Sequence, residues 1–290
     1  IELNIWYCYA EDQKYGWKGD LSNEIKAARF YKSKGIDLRF IRYCLKSGGE
    51  KYFLVGWMNP TTKLLILLFW MFGRPFNIWF DYPQDGKSRG VLKHLFREVY
   101  YFILKHSCAK VFCVGKLTVE YFKKRGFDQD CLVNLPIFID TSKNKQDYLG
   151  YKDSIYNKYN ISKDSLFLTA GSRLVHEKGF DILIEALARL EPEVKSKVKC
   201  VIVGKGDQRE NLDTLIRQNG LKGSVYIEEW MDIEKFKALI ANSDVFIHPA
   251  RFDAYGGTIF AMSLGVPVVG SKYAGAAYDR IIDNKNGHLY

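Results

Sequence analysis

The sequence predicts an α/β protein made of two doubly wound domains in tandem. Three observations carry this. Short apolar runs alternate with segments of helical spacing through residues 1–139, a polar irregular stretch intervenes, and the alternation restarts at residue 165. Repeated strand–helix units call for a parallel sheet with helices on both faces. A chain of 290 residues is long enough for two cores of ordinary size. The expected boundaries are 1–139, a linker at 140–164, and 165–290.

In the first half, "LNIWYCYA" reads as a strand, and "YGWKGD", with Gly16 and Gly19, as a loop. "LSNEIKAARFYKSKG" reads as a helix ending at Gly35, and "IDLRFIRY" and "KYFLVGW" as strands. "NPTTKLLILLFWMFG" has Pro60 at its start and Gly73 at its end, the asymmetry of a helix. "FNIWF" is a strand leading into the loop "DYPQDGKSRG"; the helix "VLKHLFREVYYFILKHS" and the strand "KVFCVG" follow. In the second half the expected strands are "LFLTAGS", "VKCVIVGKG", "SVYIEEW", "DVFIHPA" and "GVPVVGS". Between them fall the helices "GFDILIEALARL", "RENLDTLIRQNG" and "IEKFKALIANS". Tandem sheets of this kind create a cleft, and they bind ligands at their carboxyl edges.

Composition narrows the class. The six cysteines form no C-x-x-C pair and no metal spacing, and most lie in apolar runs, so buried reduced thiols in a cytosolic protein are expected. No signal peptide is visible. The chain begins at Ile1 within a strand, so a few residues are expected before it. The longest apolar run, Leu64 to Phe72, is bounded by Lys63 and Arg74 and is about half a membrane span. The net charge of +10 is uneven: residues 1–139 hold 22 Lys/Arg against 13 Asp/Glu, and residues 140–290 hold 21 against 20. The first half is therefore expected to meet something anionic. Nucleic acid is a poor candidate, because no recognised binding module or aromatic RNA-binding motif is present.

Two basic residues stand out in "GSRLVHEKGFDILIEAL". Arg173 and Lys178 flank a short loop at a strand's carboxyl end, before a helix, where they could converge on a diphosphate. Solvated loop charges are the plainer alternative, and His176 between them is read as a loop residue. "VGKGDQ" offers a glycine turn at Gly204 where a ligand could approach closely.

The order of "GSRLVHEKGFDILIEAL", "VIVGKGDQRENL", "SDVFIHPARFDAYGGTIFAMSLGVPVVGS" and "IIDNKNGHL" resembles the retaining glycosyltransferases of family 4 over nearly all of residues 165–290. In the first half "FNIWFDYP", "KVFCVGKLTVEYFKKRGF" and "VNLPIFID" follow the same order more loosely. The resemblance implies the GT-B fold, two Rossmann-like domains facing a central cleft. The C-terminal domain would hold a nucleotide-sugar donor and the N-terminal domain the acceptor. It places Arg173 and Lys178 on the donor diphosphate, where fixed cations would stabilise the charge of the departing β-phosphate without a metal. It also places Asp253 on the donor sugar. Tyr255 and the backbone N–H groups of Gly256, Gly257 and Thr258 join the donor site at a helix mouth. Gly16 and Gly19 stand where the family has a glycine-rich loop, although the usual double glycine is absent. Asp81 ends a strand where many members have His followed by Asp; here Phe80 replaces the His. Asp81 is a candidate acceptor or sugar contact, with a turn cap as its plainer reading.

One element departs from the family. A second acid, which would contact the ribose, falls at Ala261 when counted forward from Asp253 and at Phe260 when counted back from "AMSLGVPVV". Two explanations stand open: the helix has lost the acid, or the acid is an altered residue that the sequence does not show. Deletion of one helical residue rotates what precedes it by about 100°, which is expected to disturb the buried face or the glycine turn. Bonded neighbours at 260 and 261 would lie about 3.8 Å apart at Cα. The family also continues beyond "NGHLY" with further helices.

"KSRGVLKHLFREVYYFILKHSCAK" sets Lys87, Arg89, Lys93, Arg97, Lys105 and Lys110 among Leu, Phe and Tyr. An ordinary packed helix explains its buried face; its basic flanks suit an anionic lipid surface or a lipid-diphosphate acceptor. The expected function is a metal-independent retaining transferase of hexosyltransferase type, with no cofactor beyond the nucleotide-sugar substrate. It would act on a glycan or lipid-linked hydroxyl in surface polysaccharide or lipopolysaccharide assembly, in the cytoplasm or on the inner face of the membrane. The rivals are a nucleotide-sugar epimerase, a phosphorylase (which would be longer and carry a cofactor lysine), and a binding protein without catalysis.

Overall fold

In the computed structural model the residues described are 6–7, 11–12, 17–18, 29–30, 35–46, 50–57, 59–83, 90–253 and 255–290. The chain divides into two units. One comprises Ile1–Phe80, Gln84–Phe112 and Lys123–Val133; the other comprises Asp81–Pro83, Cys113–Phe122 and Asn134–Tyr290.

In the first unit β1 (Trp6–Tyr7) pairs in parallel with β4 (Arg29–Phe30), and β2 (Glu11–Asp12) pairs antiparallel with β3 (Trp17–Lys18). β4 lies inside the helix expected over 21–35 and corrects it at residues 29 and 30. Gly16, Gly19, Lys87 and Arg89 lie outside the described residues. A four-stranded sheet has the order β5 (Tyr52–Val55), β6 (Phe76–Phe80), β7 (Cys108–Cys113) and β8 (Leu132–Asn134), with β5 and β6 parallel.

"IDLRFIRY" is not a strand. The helix Leu38–Lys46 occupies it, with Ile41 and Cys44 buried at helical spacing. Its start is set by Asp37, whose Oδ1 accepts the Arg39 and Phe40 N–H groups at 3.0 and 3.1 Å, an N-cap that outweighs the β-prone composition. The helix Pro60–Met71 forms where the sequence places it. Asn59 caps it through Oδ1 to the Thr62 N–H at 2.8 Å, and Gly73 follows with φ +62°.

The second unit is a six-stranded, wholly parallel sheet. Its strands are β9 (Leu166–Gly171), β10 (Val198–Val203), β11 (Val225–Glu228), β12 (Val245–His248), β13 (Val268–Gly270) and β14 (Gly287–Leu289), in the order β11-β10-β9-β12-β13-β14. This is the doubly wound order, in which strands are added on one side of the first strand, β9, and then, from the fourth strand, β12, on its other side. Strand alternation builds two cores. Phe167, Val201, Val203 and Phe246 face one side, with Phe236, Leu239 and Ile240 of the helix Ile233–Ala241. Leu168, Ala170, Cys200 and Ile202 face the other, with Leu183, Ile184 and Leu187 of the helix Phe180–Ala188.

The expected linker, residues 140–164, is instead part of this unit. A 3-10 turn Lys145–Tyr151 and the helix Lys152–Lys158 occupy it, and Tyr148, Tyr159 and Ile161 are buried in the first of these cores. Asn242 Nδ2 donates to the Tyr148 carbonyl at 2.9 Å. A polar composition concealed three buried anchors. Among the described cysteines, Cys44, Cys113 and Cys200 are buried and Cys131 is partly so, all as free thiols.

Candidate functional site

The switch point of the second sheet lies between β9 and β12, and sheets of this kind bind ligands beside the loops that leave the strands' carboxyl ends there. Both loops are built to approach each other. Gly179 has φ +67°, and a Cβ there would stand 2.2 Å from the Pro249 carbonyl oxygen; only glycine allows that approach. The Phe252 N–H donates to the Glu177 carbonyl at 3.0 Å. Arg251 grips Asp181 with two N–H···O bonds of 2.6 and 2.7 Å and reaches the His176 carbonyl at 3.1 Å. Burial raises the Asp181 carboxyl, but the Arg251 hydrogen bond and charge outweigh it and leave the group below its ordinary range.

This stapling brings together two of the expected site residues. Lys178 Nζ lies 2.6 Å from Asp253 Oδ1, and their side chains are 9% and 8% exposed, a charge pair almost withdrawn from water. The other carboxylate oxygen, Oδ2, meets His248 Nε2 at 3.0 Å, and His248 Nδ1 meets Thr258 Oγ1 at 2.7 Å. Burial acts to raise the Asp253 carboxyl; the His248 hydrogen bond and the nearby charges of His248 and Lys178 outweigh it and hold the group low. A buried carboxylate of this kind is ionised because its partners are fixed around it.

Arg173 lies half-buried on the same loop as Lys178. Its neighbours are clamped: the Ser172 N–H donates to the Val203 carbonyl at 3.0 Å and the Leu174 N–H to the Lys205 carbonyl at 2.9 Å. Gly204 makes this clamp possible, because a Cβ there would fall 1.9 Å from the Ser172 carbonyl oxygen. The sequence reading gives Gly204 to a ligand. In the structure the chain's own backbone takes the space of its missing Cβ, and Gly204 thereby seats the Arg173 loop. At Gly257 the Phe246 ring takes the space of the missing Cβ, at 2.4 Å. Gly256 faces the charged cluster, 3.0 Å from Asp253 Oδ2 at its Cβ position. Thr258 is fully buried and holds His248.

Tyr255 points to a separate cluster. Its hydroxyl donates to Asp279 Oδ2 at 2.9 Å, while Asp279 Oδ1 accepts the Lys116 N–H at 2.9 Å. Burial, with the Asp279 carboxylate adding to it, pushes the Tyr255 hydroxyl up to about 12. Asp81 keeps solvent access at one edge, yet crowding by neighbouring atoms raises its carboxyl above the ordinary range. The Asp253 charge adds to that rise, and the Tyr82 N–H and Lys178 oppose it, so Asp81 senses the buried pair. Next to it the Tyr82 and Phe252 rings stack at 4.8 Å.

The helix Thr258–Ser263 runs unbroken through Phe260 and Ala261. The Ala261 N–H donates to the Gly257 carbonyl at 3.0 Å and the Leu264 N–H to the Phe260 carbonyl at 3.2 Å. Ala261 is fully buried, and Lys237 Nζ stands 5.9 Å from the centre of the Phe260 ring. Thr258 and Ala261, three apart, both face the core. Sequence reasoning missed His248, Arg251, Asp181 and Asp279. His248 had a signal, since period-2 alternation puts it on the Phe246 face at a strand's carboxyl end; the others show only in three dimensions.

Residues 152–290 match the family model described as glycosyl transferases group 1. The O-antigen biosynthesis glycosyltransferase WclY of Escherichia coli is 28% identical over 128 residues, which are 43% of this chain and 34% of that protein. The GDP-mannose-dependent alpha-(1-6)-phosphatidylinositol monomannoside mannosyltransferase of Mycolicibacterium smegmatis is 30% identical over 182 residues, 60% of this chain and 47% of that protein. The chain thus covers less than half the length of either relative. Anabaena Alr3699/HepE, solved in complex with UDP, superposes with a TM-score of 0.71 at 18% identity, over 94% of this chain and 76% of that one. Residues 152–290 therefore carry the pattern of the group 1 glycosyl transferases, within a chain that has the two-unit, Rossmann-like GT-B fold.

Proposed function

We propose that this chain is a retaining glycosyltransferase of family 4 that takes its sugar from a nucleoside-diphosphate donor. The observation that carries this reading is the buried Lys178–Asp253 pair at the switch point, on the same loop as Arg173. A cation withdrawn from water at a sheet's carboxyl edge suits a diphosphate, because charge built on the leaving oxygen is stabilised most where solvent is excluded. In this mechanism the bond from the anomeric carbon to the β-phosphate oxygen breaks as the acceptor hydroxyl bonds to the same face. The hydroxyl proton passes to the departing diphosphate. Lys178 and Arg173 balance its charge without calling on a metal or cofactor.

HepE is solved with UDP and with UDP-glucose, and WclY is named for O-antigen biosynthesis. These support a hexosyl donor and a glycan or lipid-linked acceptor in surface polysaccharide assembly, with Asp81 as the acceptor-side contact. Peripheral attachment to anionic lipid on the cytoplasmic face completes the reading. Val91, Leu95, Phe96, Val99 and Phe102 are exposed on the helix Val91–Ser107, beside Lys93 and Lys105. Among the described residues no helix is long and apolar enough to cross a membrane. The apolar Phe260 and Ala261 favour one alternative, a nucleotide-sugar binder without turnover.

Transfer and hydrolysis assays with UDP-, GDP- and ADP-sugars test the reading. Turnover lost in K178A supports it. Saturable binding with no turnover on any acceptor selects the binder, and no binding of any diphosphate refutes both. Retention on anionic but not neutral vesicles tests the membrane contact, and equal behaviour on both ends it.

A further inference from the structure

We propose that His248 is a positioning residue of the donor site, acting through Asp253 to aim the Lys178 ammonium at the donor diphosphate. The inference rests on the function proposed above and assigns a role to a buried side chain that acts through its partners. His248 is 5% exposed, and both of its ring nitrogens are partnered within the second unit.

The chemistry of the partners sets the protons. An ionised carboxylate only accepts, so His248 Nε2 carries the hydrogen given to Asp253 Oδ2, while Nδ1 is held by its hydrogen bond with the Thr258 hydroxyl. Asp253 Oδ1 is left to accept from Lys178. A carboxylate held at one oxygen can still swing about its last torsion; held at both, its plane is fixed, and so is the direction from which the ammonium bonds it. The Asp253 backbone is tied as well, its N–H donating to the Tyr273 carbonyl at 3.2 Å and its carbonyl accepting the Gly275 N–H at 2.9 Å. Gly256 closes against the same atoms, where a Cβ would stand 3.0 Å from Asp253 Oδ2 and 3.1 Å from His248 Cε1. Lys178 gives one of its three N–H groups to Asp253, and the fixed geometry directs the other two. The relay Thr258–His248–Asp253–Lys178 therefore turns a flexible lysine into an oriented cation. Orientation of this kind lowers the cost of binding a rigid anion.

The test compares two isosteres in the full chain. The Gln side-chain nitrogen in H248Q reaches the place of Nε2 and still donates to Asp253. The Asn nitrogen in H248N reaches only the place of Nδ1. Binding of UDP, GDP and ADP is measured by calorimetry, with melting temperatures recorded for each variant. Relative to wild type, H248N is expected to weaken diphosphate binding by about tenfold, the worth of one charge-assisted hydrogen bond. H248Q is expected to recover binding to within about threefold, and H248N in a K178A background to cause no further loss. A merely structural histidine would give equal effects for Gln and Asn, and losses that add to those of K178A; either result overturns the inference. If wild type binds a diphosphate and H248N binds it equally, the inference alone falls. If wild type binds none, the proposed function falls first and the inference with it. Should H248N fail to fold, nitrogen-15 imidazole spectra of wild type decide: a hydrogen on Nε2 supports the relay, and an Nε2 without one overturns it.

Discussion

Removing the charge of Asp253 while keeping its shape, as in D253N, probes the site through stability alone, without any substrate. Its side chain and that of Lys178 are 8% and 9% exposed and meet at 2.6 Å. The substitution strands a buried ammonium and leaves His248 without an ionised acceptor. Stranding one member of a buried pair costs about 3–5 kcal/mol, which lowers the melting temperature of a unit of this size by roughly 6–20 °C. K178M leaves Asp253 with His248, so it is expected to cost less, about 2 kcal/mol. The double variant replaces the pair with neutral groups and should fall short of the summed single losses by about 3 kcal/mol, a coupling typical of directly bonded partners.

The pH dependence has a definite sign. The folded Asp253 carboxyl sits below its ordinary value, so its contribution is fully present above the unfolded value of about 3.9. It is lost as pH falls through the lowered folded value. D253N should therefore flatten the acid limb of the stability curve and leave its neutral limb parallel to wild type. Differential scanning calorimetry of the four proteins from pH 2 to 7 (roughly the span over which a carboxylate near 3.9 titrates) makes the measurement. A D253N protein that melts within about 2 °C of wild type at neutral pH, or single losses that simply add, would refute the claim that this pair is buried and coupled.

Three further outcomes follow from contacts around the pair. G204A would put a Cβ 1.9 Å from the Ser172 carbonyl oxygen, a backbone atom, so a loss of at least about 2 kcal/mol is expected in urea unfolding. Nucleotide binding should weaken with it, because the displaced loop carries Arg173. R251K keeps the charge but loses the two-pronged grip on Asp181; at a guanidinium one-third exposed the expected cost is about 1 kcal/mol, read as a small shift in melting midpoint. Among the described thiols, Cys131 should alkylate before Cys44, Cys113 and Cys200 in peptide mass spectrometry. Burial holds those three near 12, where the reactive thiolate is scarce.

The second unit was legible in the sequence because its central strands, β9 and β10, are buried on both faces. Such strands read as unbroken apolar runs bounded by glycines, as in "VKCVIVGKG", and each expected strand of that half is present. The first unit was harder. At Leu38–Lys46 a run of Leu, Phe, Ile and Tyr hid a helix whose true signal was Asp37 at its head. Within the second unit the segment 140–164 also escaped, because its anchors Tyr148, Tyr159 and Ile161 are too far apart to make a periodic pattern.

The site was half legible, for a related reason. Lys178 and Asp253 were named because motif order carried them, but what holds them together is distributed over residues that no local pattern connects. Arg251 and Asp181 are 70 positions apart, and Gly179 and Pro249 likewise. The glycines show this most directly. Read along the chain, Gly204 looks like room for a ligand and Gly257 like a backbone N–H donor; in space the Cβ side of each is filled, one by a carbonyl of the Arg173 loop and one by the Phe246 ring. Their missing side chains let these segments seat closely beside the loops on which a lysine and an aspartate are buried as a pair. The helix that follows is held in place by the same contacts. Gly257 rests on Phe246, Thr258 holds His248, and Ala261 fills the core behind them. Its first turn supports the charged relay through Thr258, and that support does not depend on an acid at position 260 or 261.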